Sequence, residues 1–325
     1  MVLIDFVTAR EILDSRGVPT IEATVVLNDG RRGKASVPSG ISRSRYEAIE
    51  LRDADASRYN GLGVTHAVKN INDTISPRMK KMNPIEQHNV DKVINELDQS
   101  PNKAHLGTNA TLAVSLAVAR TAAMVVERPL WSHLNDLFVK TRAKNVNGEE
   151  AALLETQQRP RLTVPIFNIV NGGVHSHSGL ETQEFLVIPK PKQEPSKHIR
   201  WGVGIRYAIE RELAQKNMFY GVGEQGGVSA QFESTEQVLE MMVSAVKHTG
   251  RKLGEDIEFG IDMAADFIED FNPKAHVELY QQLTDKYPIT YLEDPLPARD
   301  IEPWVHLRSL LHDKLGMVGD DLTAT

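Results

Sequence analysis

Three short apolar runs, each closed by carboxylates, constrain this chain more than any other feature. They are Ile257-Glu258-Phe259-Gly260-Ile261-Asp262, Ile289-Thr290-Tyr291-Leu292-Glu293-Asp294 and Met317-Val318-Gly319-Asp320-Asp321. Apolar runs of this length between helical segments read as buried parallel strands. Asp262 and Glu293 are 31 residues apart and Glu293 and Asp320 are 27 apart, so each gap holds one helix, one strand and two loops. Units of that size build a β/α barrel, whose chemistry gathers at the carboxyl ends of its strands. A single acid at a strand end is ordinarily a helix N-cap or a solvated turn. Acids at three neighbouring strand ends would instead share a pocket. Carboxylates brought together in a dry pocket need a cation. An all-oxygen donor set in a chain without cysteine points to a hard ion, Mg²⁺ first and Mn²⁺ second.

At 325 residues the chain has room for two domains, or for one large domain with an addition. A net charge of -7, with no basic run alternating with aromatics, argues against a nucleic-acid partner. The lack of cysteine excludes a disulfide framework and a thiol nucleophile, and is compatible with the cytoplasm. Met1 to Asp5 has neither the basic start nor the long apolar core of a signal peptide. The longest apolar region, Ala110 to Val126, carries Thr111, Ser115, Arg120 and Thr121. It reads as a buried helix rather than a membrane span, so no membrane partner is expected.

Taken in order, Leu3–Ala9, Thr20–Leu27 and Arg32–Val37 read as strands of an antiparallel meander, with Asn28-Asp29-Gly30 as a hairpin turn. Pro38 to Arg45 is a polar loop. Helical periods follow over Thr65–Ile75, stopped by Pro77, and over Ile85–Leu97, Thr108–Val126 and Leu130–Thr141. The polar, aperiodic stretch from Lys140 reads as a linker or insertion over 140–162. It divides a first domain, 1–139, from a second, 163–325. In the second, Thr163–Val170 and Glu184–Ile188 read as strands, and His198–Lys216 and Thr235–His248 as helices. The three strand–acid units come next, separated by helices near Ala275–Tyr287 and Ile301–His312. That gives about five barrel strands, where a closed barrel has eight.

These pieces carry a resemblance. Ala9-Arg10-Glu11-Ile12-Leu13-Asp14-Ser15-Arg16-Gly17-Val18-Pro19-Thr20, Val37-Pro38-Ser39-Gly40 and Glu47 to Asp53 are similar to the opening of enolase, phosphopyruvate hydratase. So are Phe167-Asn168-Ile169-Val170-Asn171-Gly172-Gly173-Val174-His175, Gln183-Glu184-Phe185, Arg200-Trp201-Gly202, Glu293-Asp294-Pro295 and Asp320-Asp321-Leu322-Thr323. The matches run in family order along nearly the whole chain. The resemblance implies an α+β N-terminal domain followed by a TIM-like barrel that begins ββαα. It implies reversible, Mg²⁺-dependent dehydration of 2-phosphoglycerate to phosphoenolpyruvate in glycolysis, in the cytoplasm. The first metal would be held by Asp262, Glu293 and Asp320. Ser42, on the lid loop, would help hold a second. His175 and Glu184 would line the substrate pocket with Glu293 and Asp320. The family also implies a homodimer through the N-terminal domain, with Arg10 and Glu22 near the contact.

The chain departs from the family pattern in three places. Gln225 stands where the family has a glutamate as its acid, within Gly223-Glu224-Gln225-Gly226-Gly227. An amide has no titrating proton, so elimination is expected to be impaired. Glu224 next to it has the right chemistry at a neighbouring position. The lid reads Ser39-Gly40-Ile41-Ser42-Arg43-Ser44, in place of a family loop that ends in glycine. Last, the family's lysine base and later substrate ligands would follow the Asp320 unit, and on this reading the barrel is incomplete at its C-terminus. Two functions are therefore expected to compete: an enolase-type lyase, and a non-catalytic enolase-like protein that binds metal or a partner. Another lyase or isomerase of the wider superfamily fits Asn171 to His175 less well.

Overall fold

The computed structural model describes residues 1–40, 43, 46–143, 162–176, 178–191, 194–311 and 315–324. The chain forms two compact units, Met1–Pro160 and Arg161–Ala324.

The first unit opens with an antiparallel sheet of β1 (Ile4–Leu13), β2 (Pro19–Leu27) and β3 (Arg32–Ser36). β1 runs four residues past the expected end, paired with β2 as far as Leu13↔Pro19. Helix α4 (Thr108–Val125) lies against β2 and β3 and buries Ala110, Ala113, Val114, Ala117 and Val118 with Ile21, Ala23 and Val25. This apolar helix is therefore a core helix, as its scattered hydroxyls predict.

The helix over Thr65–Ile75 does not stop at Pro77. α1 (Thr65–Lys69) passes through a π-helical turn, Asn70–Ile75, into α2 (Ser76–Met79), with Pro77 in the first turn of α2. Proline is tolerated there because the first-turn N–H groups have no partner within the helix. The turn has a use. Asn72 Oδ1 accepts from Ala9 N–H at 2.8 Å and Ser76 Oγ accepts from Val7 N–H at 2.9 Å. Side chains thus satisfy the outer edge of β1, which would otherwise present free donors. α3 (Gln87–Leu97) and α5 (Leu130–Ala143) complete the unit. Residues 140–143 are thus helical, and 144–161 lie outside the described residues.

The second unit holds one mixed sheet in the order β10-β9-β8-β5-β4-β7-β6. β4 (Phe167–Asn171) starts later than expected, because Pro165 has no N–H to give a ladder. β5 (Glu184–Pro189) returns antiparallel to it. α6 (Pro195–Gln215) follows and packs on both strands. A hairpin the sequence reading left unassigned, β6 (Tyr220–Val222) and β7 (Val228–Ala230), turns at the glycines and joins β4 at Val170↔Val228. α7 (Thr235–His248) comes next, capped by Ser234 Oγ, which accepts from Gln237 N–H at 3.2 Å.

The three strand–acid units are β8 (Ile257–Asp262), β9 (Ile289–Glu293) and β10 (Gly316–Val318). They are parallel to one another, and α8 (Pro273–Lys286) and α9 (Ile301–Leu311) separate them. The architecture is a ββαα start, with the hairpin between its helices, running into βα units of a partial barrel. Its core joins Val170, Phe185, Val187, Phe259, Ile261 and Leu292 to Ile205, Ile209 and Leu213 of α6.

Candidate functional site

The sheet register builds the site. Asn171 pairs with Glu184, Glu184 with Asp262, and Asp262 with Glu293. Laterally paired residues project from the same face of a sheet. Because β5 runs antiparallel, its first residue lies at the end where β4, β8 and β9 finish. One row therefore brings two acids predicted from strand ends, Asp262 and Glu293, beside Glu184 and Asn171.

Asp320 joins from beyond β10. Ligand atoms of Glu293, Asp294 and Asp320 lie within 4.8 Å of one another. Asp294, which the sequence reading gave no role, is the reason. Its carboxylate is buried and accepts the N–H groups of Asp320 at 3.0 Å, Asp321 at 2.8 Å and Leu322 at 3.4 Å. It clamps the turn after β10 so that Asp320 faces Glu293. Asp262 stands outside that tight group, in register beside Glu293. Its Oδ1 accepts from Ala264 N–H at 2.9 Å and its Oδ2 from Gln183 Nε2 at 3.3 Å.

These carboxylates face one another with little to balance them. Burial, then Glu293 and Glu184, push the Asp262 carboxyl up to about 9. Burial, with Glu293 and Asp320, raises Glu184 to about 7. Burial also raises Glu293, against the Tyr291 hydroxyl, which donates to its Oε2 at 2.6 Å. Burial raises Asp294 as well, against the backbone N–H groups it accepts. Carboxyls driven this far toward the neutral form are a site short of positive charge. An all-oxygen set of this kind fits a divalent ion of the Mg²⁺ class.

The other side of the row is rich in polar atoms without partners. His175 sits in a 3-10 turn, Gly173–His175, that Gly173 enters at φ 51°. The His175 ring is buried, neither of its nitrogens is hydrogen-bonded to any of the described residues, and Nδ1 lies 3.8 Å from Glu184 Oε1. Burial lowers its basicity, partly opposed by the charge of Glu224. Both polar side-chain atoms of Asn171, Asn168 Oδ1 and Gln183 Oε1 are likewise buried and without a partner among the described residues. Buried polar atoms are normally satisfied, so a cluster of exceptions at one end of a sheet points to a ligand.

Gln225 lies at the rim, where its Oε1 accepts from Asn168 Nδ2 at 3.2 Å. Its loop needs glycine for close approach. A Cβ on Gly223 would come 2.6 Å from Asn171 Oδ1, and one on Gly227 would come 2.4 Å from it. Glu224 N–H points to the His175 carbonyl at 3.4 Å, so this residue adjoins the histidine turn. Ser42 lies outside the described residues. At the base of its loop, Arg52 donates to Ser39 Oγ at 2.6 Å, Arg16 to the Ser39 carbonyl at 2.7 Å, and Arg43 pairs with Glu50 at 3.7 Å.

Tyr291, Asn168 and Gln183 lie within the sequence motifs but have no role that the motifs alone assign. For Tyr291 a signal existed. Residues two apart on a strand share a face, so Tyr291 had to stand beside Glu293.

Comparison with known proteins agrees with the motifs. A family model described as Enolase, N-terminal domain matches residues 4–134. One described as Enolase, C-terminal TIM barrel domain matches residues 160–276 and 267–325. Enolase of Ehrlichia canis (strain Jake) is 36% identical over 334 aligned positions, which take in 100% of this chain and 75% of the relative. Enolase of Ehrlichia chaffeensis (strain ATCC CRL-10679 / Arkansas) is 35% identical over the same extent.

Proposed function

We propose that this chain, which belongs to the enolase family, binds Mg²⁺ at its acidic strand ends and takes a small phosphorylated carboxylate, 2-phosphoglycerate or phosphoenolpyruvate, beside it. The observation that carries this reading is the row Glu184–Asp262–Glu293, in register, with Asp262 buried and Glu184 and Glu293 half-buried, and with all three carboxyls pushed up by burial. Asp262, Glu293 and Asp320 would hold the ion. When bound, it would supply the positive charge that an anionic carboxylate substrate needs as charge builds up at carbon 2. His175, kept neutral by burial, offers one ring nitrogen as donor and one as acceptor to that substrate. Glu184 stands 3.8 Å from it and limits how the ring can turn. Gly172 and Gly173 let the backbone pass close to the ligand. Ser42 is the family's position for a second ion, on the lid. No described residue is assigned to proton abstraction. The family's lysine would fall beyond the Asp320 unit.

One observation favours a second reading, binding without efficient turnover. Gln225, at the acid position, is an amide engaged with Asn168 and has no proton to give. Family membership supports a cytoplasmic setting and a homodimer through the first unit. There Arg10 and Glu22 already pair within the sheet at 2.9 Å.

Thermal melting with Mg²⁺ tests the site. A ligand at a hundred times its dissociation constant stabilises the native state by about 2.7 kcal/mol, so saturating Mg²⁺ should raise Tm by several degrees. Asp262→Asn should abolish the rise while still folding, because the native carboxyl is already largely neutral at pH 7. An equal rise in the variant, or none in the natural chain, would sink the assignment.

A further inference from the structure

The carboxylates of the acidic row differ in how many oxygens they leave free. Both oxygens of Asp294 are taken by three backbone N–H groups. Asp262 gives one oxygen to Ala264 N–H at 2.9 Å and the other, at a longer 3.3 Å, to Gln183. Glu293 has the longest side chain among these three and could best swing to face an ion with both oxygens. One of them is already held. The phenol of Tyr291 is the donor and Glu293 Oε2 the acceptor, at 2.6 Å.

The tyrosine ring is itself fixed in place. Gly260 on β8 pairs directly with Tyr291 on β9. A Cβ at residue 260 would lie 3.1 Å from both Tyr291 Cβ and Cδ1, and 3.2 Å from Leu186 Cβ. Glycine at this position leaves the space in which the ring stands under Glu293.

We infer that Tyr291 is a positioning residue that makes the site select a small octahedral cation over a larger one, by leaving Glu293 a single oxygen to offer. The inference rests on the metal-binding reading above. The reason is coordination chemistry. Ca²⁺ takes six to eight oxygens and readily uses both oxygens of one carboxylate. Mg²⁺ accepts near-ideal octahedral geometry from single oxygens and retained waters. With both oxygens of Asp294 and of Asp262 already accepting hydrogen bonds and one oxygen of Glu293 held by Tyr291, the row offers little two-oxygen ligation, which suits the second ion and starves the first.

Calorimetric titration of the chain with MgCl₂ and with CaCl₂ tests this, repeated on Tyr291→Phe. The variant keeps the ring on Gly260 and loses only the hydroxyl. We expect the natural chain to prefer Mg²⁺, and the variant to lower the Mg²⁺-over-Ca²⁺ preference about tenfold, chiefly through tighter Ca²⁺ binding. An unchanged preference overturns the role of Tyr291 and leaves the metal site standing. Failure of the natural chain to bind either ion overturns the site, and this inference with it. A measurement on the natural chain alone guards against a misfolded variant. The infrared difference spectrum on adding Mg²⁺ should show the wide carboxylate splitting of one-oxygen ligation. The narrow splitting of two-oxygen ligation overturns the inference.

Discussion

Gln225→Glu is expected to raise turnover of 2-phosphoglycerate by roughly two to four orders of magnitude, the usual worth of a positioned general acid. The geometry favours the gain. Gln225 Oε1 already accepts a hydrogen bond from Asn168 Nδ2, and a glutamate could keep that bond while adding a titrating oxygen. Glu224 differs in position: its N–H is directed at the His175 carbonyl and its charge acts on His175. Steady-state turnover of the natural chain and the variant at saturating Mg²⁺ and substrate is the measurement. A gain under threefold would mean that a step other than protonation of the leaving group limits the reaction.

The second large effect is on stability. The metal-free protein is expected to become less stable as pH rises from about 4.5 to about 9. Asp262 titrates near 9 in the native state against 3.8 when unexposed to these neighbours, and Glu184 near 7 against 4.5. Between those limits the native state binds more protons than the unfolded state, so stability falls with pH. Both groups contribute up to about pH 7, and Asp262 alone from there to about 9. Burial alone would raise Asp53 and Asp98 too, but backbone N–H groups of His66 and Leu106, with neighbouring hydroxyls, hold them low. Their contribution is lost only in acid, as pH falls below the ordinary carboxylate range, whereas His133 and His175, whose basicity burial lowers, oppose the fall up to about pH 6.5 and leave it clearest from pH 7 to 9. Melting in chelator at pH 5, 7 and 9 should give a descending series, and Mg²⁺ should flatten it, because the ion takes the place of the bound protons. A Tm that climbs from pH 5 to 9 in chelator would contradict the buried, uncompensated row.

Much of this site was legible in the chain, for identifiable reasons. An apolar run ended by an acid is a local pattern, and a gap of 31 residues fits one strand–helix unit, so Asp262 and Glu293 could be placed on adjacent parallel strands. The depth of α4 was legible from its composition. What could not be read depends on long-range pairing. Nothing local says that β5 runs antiparallel, yet that direction alone puts Glu184 at the carboxyl end of its neighbours. The strands of the hairpin β6–β7 are three residues each, too short for a period to show, and its glycines read only as a motif. Proline breaks helices, so Pro77 reads as a stop in the sequence. Here the break falls where a π-turn ends and a new first turn begins. Asp294 looked like a spare acid beside Glu293. Its work as a clamp on the Asp320 turn requires knowing that β9 and β10 are neighbours.

On this reading Mg²⁺ displaces protons from the strand-end carboxyls. Calorimetric titration of Mg²⁺ into the chain at pH 7, in two buffers of different ionisation enthalpy, tests it most directly. Metal binding to protonated ligands releases their protons, and the buffer dependence of the heat counts them. With Asp262 raised to about 9 and Glu184 to about 7, the account predicts release of about one proton or more per ion. Binding with no proton release would place the ion elsewhere, on ordinary surface acids, and would overturn the metal assignment.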